Sequence, residues 1–515
     1  MSRFAADVIV IGSGFGGSVA ALGAAQAGLR VIVLEQGRRL SAEDLERGAR
    51  STKSLLWAPA VGLSGYFRQT ALRDIVVVGG VGVGGGSIVY AAVLLEPAAA
   101  AFTESGWAGT GVDWSAELRP HFATASRKLG VMRNPQFGIQ DAWLRESAAT
   151  MGVSSTFGAT PQGIDFDACV ACGQCITGCP YGAKNSLDRN YLQQAEALGA
   201  EIRPRSRAEI LVPLAADGSG DPTADGSAGW RVVIRDPLGG RRAGGVTSLT
   251  SREVVLAGGV LGTTEVLLAN RNRWGTLPRI SETLGSRVRT NSEAFAATLH
   301  PAGIDVTAGA TISSHFYPDE RTHVTNNRFP QSYSFMKYYL SPAVTAQDPS
   351  ARRRATLAAL ARHPWRATEN LRARDWHRRV TVLTVMQHVD NELALTYRRR
   401  PWGWSLGSAA VPGQPPVPSH LPQADAAGAA VARAGGGAAY GTLLDSLLGI
   451  GATAHILGGA VIAPDPTTGV IDTDHRVFGY TGLRVLDGAA VPANIGVNPS
   501  LTITAMAERA MSRWL

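Results

Sequence analysis

The first 35 residues place two short apolar runs on either side of an alanine-rich segment. Residues 7–11 and 30–34 are rich in valine, isoleucine and leucine, which is typical of strands buried on both faces of a parallel sheet. Residues 18–27 consist mostly of helix formers, and Gly28 follows as a helix terminator. The pattern predicts a strand–helix–strand unit at the front of the chain.

The C-terminal end shows a second strand, loop and helix. Residues 483–486 predict a short strand, and residues 499–515 predict a helix. Pro499 suits the first helical position and Asn498 suits the cap before it. A capping asparagine is therefore one interpretation of Asn498, and an ordinary turn residue is one interpretation of Asp487, which follows the strand.

Glycines occupy the turn between the first strand and the first helix. Gly12, Gly14 and Gly17 form the pattern G-x-G-x-x-G in the context that dinucleotide binding requires. The first glycine permits a tight turn, the second lets the backbone approach a pyrophosphate, and the third lets helix and strand pack closely. Glu35 ends the second strand, where it can accept hydrogen bonds from a ribose and disfavours the extra phosphate of NADP. These residues predict a site for FAD or NAD.

A second glycine-dense loop favours FAD. Residues 79–94 contain six glycines, among them Gly82 and Gly85, and continue into an apolar run. A bulky cofactor that lies along the protein needs the backbone close to it on more than one side, and glycine permits this approach. A flexible surface loop is the alternative, although the apolar neighbours of these glycines argue against exposure.

The overall composition is that of a globular protein. Hydrophobic residues make up 45% and charged residues 17% of the 515 residues, so two or more structural units are expected. The N-terminus lacks the features of a secretory signal, and the apolar run at 75–95 is too rich in glycine for a good membrane-spanning helix. We therefore expect a cytoplasmic protein with reduced thiols.

Most of the net charge of +8 comes from one segment of the chain. Residues 351–380 contain nine arginines against Glu369 and Asp375, and leucines and tryptophans interrupt the arginines. One interpretation is a solvated helical segment. The other is a basic amphipathic patch that contacts anionic lipid, as a peripheral membrane protein would, or an acidic redox partner. Nothing resembles a nucleic-acid-binding motif, so no nucleic-acid partner is expected.

These motifs resemble those of the glucose-methanol-choline (GMC) flavin oxidoreductases, and most closely their cholesterol-oxidase-like branch. The resemblance rests on the first glycine turn with Glu35, on GVGVGGGSIVYA, on VVLAGGVLGTTEVLL, and on the closing HILGG, LDGAAVP and VNPSLTITAMAER. Residues 295–453 match poorly, as expected where the substrate binds. The resemblance implies an α/β fold, with a discontinuous Rossmann-like FAD-binding domain and an α+β substrate domain built on an antiparallel sheet.

The same resemblance implies the boundaries and the cofactor residues. The FAD-binding domain is expected at 1–115, 195–295 and 455–515, and the substrate domain at 116–194 and 296–454, including the cysteine-rich loop 169–185. The residues implied to line FAD are Gly12, Gly14, Gly17, Glu35, Gly82, Gly85, Asn291, Asp487 and Gly488.

The implied catalytic residues are His455 and Asn498. His455 stands where the family has its active-site histidine, and Asn498 stands where the family has the partner side chain. A histidine can accept the hydroxyl proton of an alcohol, and an asparagine amide can orient that hydroxyl. A buried core histidine is the alternative for His455. No second catalytic carboxylate is evident, and Glu392 and His388 are weak candidates for the additional group.

All four cysteines of the chain lie within eleven residues. Cys169, Cys172, Cys175 and Cys179 have the spacing C-x2-C-x2-C-x3-C-P of bacterial ferredoxins, which predicts an iron–sulfur cluster. In two-cluster ferredoxins the fourth cysteine serves the other cluster. Either Cys179 completes one [4Fe–4S] cluster here, or three cysteines hold a [3Fe–4S] or site-open [4Fe–4S] centre. A four-cysteine zinc site, two disulfides, or thiols that only pack are the alternatives.

The resulting hypothesis is an FAD-dependent oxidation of CH–OH to C=O by hydride transfer to flavin N5. The expected substrate is a sterol or another bulky hydrophobic alcohol, by resemblance alone. An iron–sulfur cluster would pass the electrons to an external acceptor, such as a redox protein or a quinone. A metal-free oxidase that produces hydrogen peroxide is the first alternative. A non-catalytic flavin electron carrier is the alternative from another class.

Overall fold

Two seven-stranded sheets organise the computed structural model, which describes residues 4–239, 246–401 and 403–515. The first sheet has the order Glu201–Arg203, Val31–Leu34, Ala6–Ile11, Thr247–Leu256, Trp230–Arg235 and Arg207–Pro213, with Leu483–Val485 paired to Thr247–Leu256. Its first four strands and Leu483–Val485 pair in parallel, while the Trp230–Arg235 and Arg207–Pro213 strands form an antiparallel extension. The predicted Rossmann-like sheet is confirmed.

The helix Phe15–Gln26 completes the predicted strand–helix–strand unit. It is buried on most sides because it packs against the helices Tyr191–Ala197 and Ser500–Trp514. Small residues make this packing close: a Cβ on Gly16 would lie 1.3 Å from the carbonyl oxygen of Leu486. The first helix is thereby fixed against the C-terminal part of the chain.

The second sheet is antiparallel throughout. Its order is Leu340–Pro342, Ala438–Thr442, Ala294–Leu299, Val380–Gln387, Thr322–Asn327, Ser314–Asp319 and Gly158–Ala159. The helices Ile139–Thr150 and Pro422–Ala434 pack on the face that carries Phe316 and Val324. The opposite face packs Ala297 and Val382 in one cluster with Ile88, which belongs to the second glycine loop. This sheet therefore reaches the expected cofactor region.

Shorter elements connect the two sheets. The remaining strands are Trp57–Ala58, Leu63–Ser64, Phe67–Ala71, Ile75–Gly80, Val131–Arg133, Pro161–Gly163, Leu393–Arg400, Gly403–Ala410 and Gly451–Thr453. The remaining α-helices are Ala42–Arg50, Thr52–Leu55, Ser105–Ala108, Trp114–Lys128, Gly259–Asn272, Pro349–Arg362, Pro364–Arg372 and Trp376–Arg379. Within the described ranges, no helix combines the length and hydropathy needed to cross a bilayer.

The expected domain boundaries stay a prediction. The strands of the first sheet all come from the three ranges assigned to the FAD-binding domain. Ala294–Leu299 of the second sheet starts at the expected boundary, so the chain passes directly from one unit into the other there.

The Arg-rich segment 351–380 is helical up to the strand that starts at Val380. Seven of its nine arginines are exposed, but Arg352 and Arg379 are buried. The Arg352 guanidinium lies 2.8 Å from the carboxylate of Asp445. These two arginines therefore stabilise the fold and do not belong to the exposed basic surface.

Candidate active site

The first glycine turn is shaped by close backbone contacts. Gly12 has a φ of +103°, and a Cβ there would lie 2.2 Å from the carbonyl oxygen of Ala257. A Cβ on Gly17 would lie 2.1 Å from the carbonyl oxygen of Gly12. A Cβ on Gly14 would meet no atom within 4 Å, so Gly14 borders open space. The helix Phe15–Gln26 starts there without a side-chain cap, which leaves its N–H groups available to a pyrophosphate.

The second glycine loop lies directly on the first. A Cβ on Gly85 would lie 2.7 Å from the Cα of Gly14. Ser13 joins the two loops, because its hydroxyl donates to Glu35 at 2.6 Å and accepts from the N–H of Gly84 at 3.1 Å. The predicted second backbone wall beside the nucleotide turn is therefore present in the fold.

Glu35 lies at the centre of this junction. Its carboxylate is 5% exposed and accepts hydrogen bonds from Ser13 and from the N–H of Gly37, the latter at 2.8 Å. The carbonyl oxygen of Gly82 is a second acceptor for the Ser13 hydroxyl, at 3.3 Å. Burial raises the pKa of Glu35 despite these donors. A carboxylate offers about four lone pairs, so acceptor capacity is left for a ribose hydroxyl.

Gly14→Ala and Gly17→Ala are expected to separate cofactor binding from folding. Gly17→Ala forces a Cβ into the Gly12 carbonyl, which should destabilise the cofactor-free protein by about 1–3 kcal/mol or more. The methyl group added by Gly14→Ala meets no protein atom, but it stands where the pyrophosphate would approach the backbone of residue 14. FAD affinity should therefore fall, while the stability of the apoprotein stays nearly unchanged. Thermal melts of the apoprotein and FAD titrations measure the two effects. Wild-type FAD affinity in Gly14→Ala would contradict the assignment.

Asp487 is a capping residue as well as a candidate cofactor residue. One carboxylate oxygen accepts from the N–H of Gly259 at 2.9 Å and from the hydroxyl of Thr263. The other oxygen accepts from the N–H of Ala489 at 2.8 Å. Gly488 is tightly enclosed, since a Cβ would lie 3.3 Å from both Ile503 and Val260 side chains. The carboxylate therefore fixes the loop after Leu483–Val485 to the helix Gly259–Asn272.

The stability of the apoprotein should depend on pH through Asp487. Burial raises the pKa of this carboxyl to about 6, from an ordinary value of 3.8. The native state thus holds the proton more tightly, and stability is lost as pH rises from about 4 to about 6. Relative to Asp487→Asn, wild-type unfolding free energy should fall by up to about 3 kcal/mol over this range. Urea unfolding at several pH values tests this, and a pH-independent difference would refute it.

His455 and Asn498 meet in the structure. The Nδ2 atom of Asn498 lies 3.2 Å from Nε2 of His455. The helix Ser500–Trp514 has Pro499 as its N-cap residue and no side-chain cap, so the capping interpretation of Asn498 is wrong. Since an amide N–H₂ can only donate, the contact assigns Nε2 of His455 as an acceptor. The imidazole proton is then on Nδ1.

Glu293 is a buried carboxylate that the sequence analysis missed. Its Oε1 contacts Nδ1 of His455. Its other oxygen accepts from the N–H of Ala454 at 3.1 Å, and the side chain is 1% exposed. Glu293 lies two residues after the predicted cofactor residue Asn291, but no sequence pattern showed that its side chain would face His455.

Asn291 lies beside the group formed by His455, Asn498 and Glu293, which is called the His455 corner below. Its Nδ2 donates to the carbonyl oxygen of Val497 at 2.6 Å and lies 3.8 Å from the sulfur of Met386. Its Oδ1 is buried with no hydrogen-bond partner in the described structure. Asn291 therefore anchors the residue before Asn498 and keeps one polar atom free.

His323 also lies near this corner, although sequence reasoning did not single it out. Burial lowers its pKa well below the usual value, with smaller contributions from the charges of His315 and His455. Its Nε2 lies 2.8 Å from Nδ1 of His315, while its own Nδ1 is buried without a partner in the part of the chain described. His323 is thus held neutral beside the candidate catalytic pair.

The two weak candidates are engaged elsewhere. Glu392 pairs with Arg289 at 3.2 Å and accepts from the N–H of Arg287. His388 lies 3.4 Å from the carboxylate of Glu104. Among the described residues, Glu293 is the carboxylate that contacts His455, whereas these two side chains pair with Arg289 and Glu104.

The four cysteines line one pocket of about 330 Å³. All four are free thiols of intermediate burial, so the disulfide alternative is not what the structure shows. Among the described residues, no three His, Cys, Asp or Glu side chains are placed to hold a single metal ion. The ferredoxin-like reading of this loop stays a prediction.

Comparisons with known proteins show the family of this chain. Residues 6–271 and 372–507 match the two descriptions of the GMC oxidoreductases. A cholesterol oxidase of Mycobacterium tuberculosis (strain H37Rv) is 38% identical, with 99% of this chain and 91% of that protein covered. A cholesterol oxidase of Acinetobacter baumannii is 35% identical, with 98% and 94% covered. The solved pyridoxine 4-oxidase from Mesorbium loti has a TM-score of 0.62 at 14% identity and covers 99% of both chains.

The parallel sheet with its two glycine loops, together with the family match, identifies the chain as an FAD-dependent oxidoreductase. More particularly, the chain belongs to the GMC oxidoreductase family and is an FAD-dependent alcohol oxidoreductase. The roles of its individual site residues stay predictions.

Proposed function

We propose that this chain oxidises a sterol or another bulky hydrophobic alcohol at the corner formed by His455, Asn498 and Glu293. The observation that carries the proposal is the pair of contacts on the His455 ring, with Asn498 at one nitrogen and Glu293 at the other. Two relatives described as cholesterol oxidases, each matched over nearly the whole chain, support the substrate class.

The chemistry follows from where the hydroxyl can bind. FAD, held by the two glycine loops and Glu35, supplies the hydride acceptor. A substrate hydroxyl placed between the Asn498 amide and the His455 ring accepts from Nδ2 and donates to Nε2. His455 then removes the hydroxyl proton as the carbon loses its hydride, and Asn498 stabilises the oxygen while charge develops on it.

Glu293 makes His455 competent for that step. The carboxylate at Nδ1 keeps the ring proton there, so the lone pair on Nε2 points toward the hydroxyl. When Nε2 takes the proton, the ring becomes positive and the buried carboxylate stabilises it. Glu293 is therefore a positioning residue that acts through His455.

The surroundings of this corner suit a large apolar alcohol with one hydroxyl. Among the described residues here, Oδ1 of Asn291, Oδ1 of Asn498 and Nδ1 of His323 are buried without a hydrogen-bond partner. Met386 adds apolar surface, since its sulfur lies 3.8 Å from Nδ2 of Asn291. Sites of this kind bind apolar ligands and orient them through a small number of polar contacts.

Anaerobic flavin reduction by an alcohol panel tests the proposed substrate class. A sterol dispersed in detergent, a long-chain primary alcohol and a sugar are compared at equal concentration. The sterol is expected to reduce the flavin fastest. Faster reduction by the sugar would refute the substrate class, and no reduction by any alcohol would favour the alternative of a non-catalytic flavin carrier.

We also propose that an iron–sulfur cluster on the four-cysteine loop would pass the electrons to an external acceptor, either a redox protein or a quinone. The thiol pocket supports this route, since its lining includes all four cysteines. The rival is a metal-free oxidase that reduces oxygen to hydrogen peroxide. Turnover with an artificial one-electron acceptor should exceed turnover with oxygen, and one hydrogen peroxide formed per alcohol at full rate would favour the rival.

The exposed basic surface supports a peripheral contact with anionic lipid. Trp365 and Leu357 are 59% and 53% exposed among the arginines of 351–380, and Tyr338 is 63% exposed nearby. Asn370 ties these elements together by donating to the carbonyl oxygen of Lys337 at 2.8 Å. Cosedimentation with phosphatidylserine vesicles should exceed that with neutral vesicles and should fall in Trp365→Ala. Equal sedimentation with both vesicles would leave an acidic protein as the partner.

A further inference from the structure

His323 lies on the sheet face that borders the His455 corner. It stands opposite Met386 on the neighbouring strand, and directly opposed residues carry their side chains on the same face of a sheet. The sulfur of Met386 lies 3.8 Å from Nδ2 of Asn291, and that Nδ2 donates to the carbonyl oxygen of Val497. The His323 ring is therefore close to the corner, and the charge of His455 reaches it.

A second histidine continues the line away from the corner. Nε2 of His323 lies 2.8 Å from Nδ1 of His315, which belongs to the next strand of the sheet. Tyr317 stacks on the His323 ring at a centroid distance of 4.8 Å and lies edge-on to the His315 ring at 5.4 Å. The tyrosine ring thus helps to fix the orientation of both imidazoles.

The line ends near the protein surface. His323 is 1% exposed and His315 is 8% exposed. His315 pairs with Gly158 of the edge strand, and a Cβ on Gly158 would lie 3.4 Å from Nε2 of His315. Arg133 is exposed, and its charge acts on His315. Burial therefore decreases from the His455 corner outward along the two rings.

The hydrogen bonding assigns the proton positions of the two rings. Nδ1 of His323 is buried without a partner among the described residues. A proton there would be a buried N–H without an acceptor, which is rarer in proteins than an acceptor with an unused lone pair. His323 therefore carries its proton on Nε2 and donates to Nδ1 of His315, whose own proton is then on Nε2. Each ring presents a lone pair on its inner side and an N–H on its outer side.

Both rings are neutral between turnovers. Burial, together with the charge of Arg133, lowers the pKa of His315 to about 4. Burial also lowers the pKa of His323, and the charges of His315 and His455 act in the same direction. A charged ring is costly at these positions, so a proton crosses the pair only if each ring releases one proton as it accepts another.

We propose that His323 and His315 form a proton outlet for His455. The outlet rests on the proposed alcohol oxidation, in which the hydroxyl proton reaches Nε2 of His455. That N–H bond breaks, and the proton binds Nδ1 of His323. The Nε2 proton of His323 passes to Nδ1 of His315, and the Nε2 proton of His315 passes to water. One proton leaves for each alcohol oxidised, no electrons move along the outlet, and rotation of the rings restores the starting tautomers.

The outlet is needed most when the electrons leave without protons. Oxidation of one alcohol releases two electrons and two protons. Oxygen takes up both protons as it becomes hydrogen peroxide, so its reduction can consume the proton held by His455. Two molecules of a one-electron acceptor take up the electrons alone, and both protons must then reach water. Loss of the outlet should therefore slow turnover with a one-electron acceptor more than turnover with oxygen.

His323→Phe and His315→Ala test the outlet in the FAD-loaded enzyme. The first anaerobic reduction of the flavin by a sterol requires only His455 as the base, so its rate should stay close to that of the wild type. Steady-state turnover with an artificial one-electron acceptor should fall by about 10-fold or more, because assisted proton transfer is lost. Imidazole in the buffer should restore part of the turnover of His315→Ala, since it can replace the missing outer ring.

His300→Phe is the matched control. His300 is another buried histidine of this sheet, but its ring contacts Thr381 and the carbonyl oxygen of Gly435. With FAD content and thermal stability recorded for every variant, it should turn over at the wild-type rate. Unchanged turnover in both His323→Phe and His315→Ala would overturn the outlet. An equal loss of flavin reduction and turnover in His323→Phe would also overturn it, because His323 would then act in the chemical step.

Failure of the proposed alcohol oxidation has a different signature. No flavin reduction by any alcohol in the wild-type protein would overturn the oxidation and the outlet together. Loss of turnover in the two outlet variants, with normal flavin reduction, supports both.

Nitrogen-15 NMR spectra of histidine-labelled apoprotein test the proton positions without turnover. Spectra of His323→Phe and His315→Ala identify the signals of the two rings. We expect a neutral His323 with its proton on Nε2, and a shift of the His315 signals in His323→Phe because their hydrogen bond is lost. A His323 ring with its proton on Nδ1 would reverse the hydrogen bond and overturn the assigned direction of transfer.

Discussion

His455→Ala is expected to slow anaerobic flavin reduction by alcohol by about 10²- to 10⁴-fold, because general-base assistance of this size is lost. Asn498→Ala should cost about 10²- to 10³-fold, the usual effect of removing one donor to a developing oxyanion. The two side chains lie 3.2 Å apart and act on the same hydroxyl. The double variant should therefore be little slower than His455→Ala, since such effects are not additive.

The matched control for His455→Ala is His121→Gln. His121 lies in the helix Trp114–Lys128, and no hydrogen bond or ion pair among the described residues joins it to His455. Stopped-flow reduction of bound FAD measures the chemical step without interference from the electron acceptor. FAD content and thermal stability are recorded for each variant. If His455→Ala reduced its flavin at the wild-type rate, the assigned catalytic pair would be wrong.

Glu293→Ala is expected to lower kcat by up to about 10³-fold with a small change in KM. The carboxylate contacts Nδ1 of His455 and is remote from the hydroxyl, so its loss should affect proton removal more than substrate binding. Glu293→Gln retains an oxygen that can accept from Nδ1 but lacks the charge. It should recover part of the lost rate.

Glu392→Gln is the control for Glu293. It removes a second carboxylate of low exposure, one that pairs with Arg289 instead of His455. We expect lower stability and nearly unchanged kcat. A large loss of kcat in Glu392→Gln together with normal turnover in Glu293→Ala would reverse the assignment and restore the sequence-based candidate.

The sequence was sufficient for the cofactor half of the fold. The strand and helix around Gly12, Gly14 and Gly17 have strong local patterns, so their context could be predicted, although the close contact of Gly12 with Ala257 could not. Glu35 is connected to the second glycine loop through Ser13, a contact that no local pattern shows. The same limitation applied to Asn498. Asparagine often caps helices, which is a local preference, but in the structure this side chain contacts His455 instead.

The catalytic corner was harder to predict because it is assembled from distant segments. Glu293 and His455 are 162 positions apart in the chain. Glu293 directly precedes the strand Ala294–Leu299, so the pairing of that strand determines the direction in which its side chain points. His315 and His323 meet across two neighbouring strands of that sheet. Pairings of this kind depend on strand register, because a shift of one residue would turn these side chains to the other face of the sheet.

The central claim is that the carbinol C–H bond breaks at the His455 corner with its hydrogen passing to FAD. The direct measurement is anaerobic flavin reduction by a sterol that carries deuterium at the carbinol carbon, compared with the unlabelled sterol. The account predicts clearly slower reduction by the deuterated sterol in wild-type protein, and almost no reduction by either sterol in His455→Ala. Equal rates with the two sterols, or rapid reduction in His455→Ala, would contradict it.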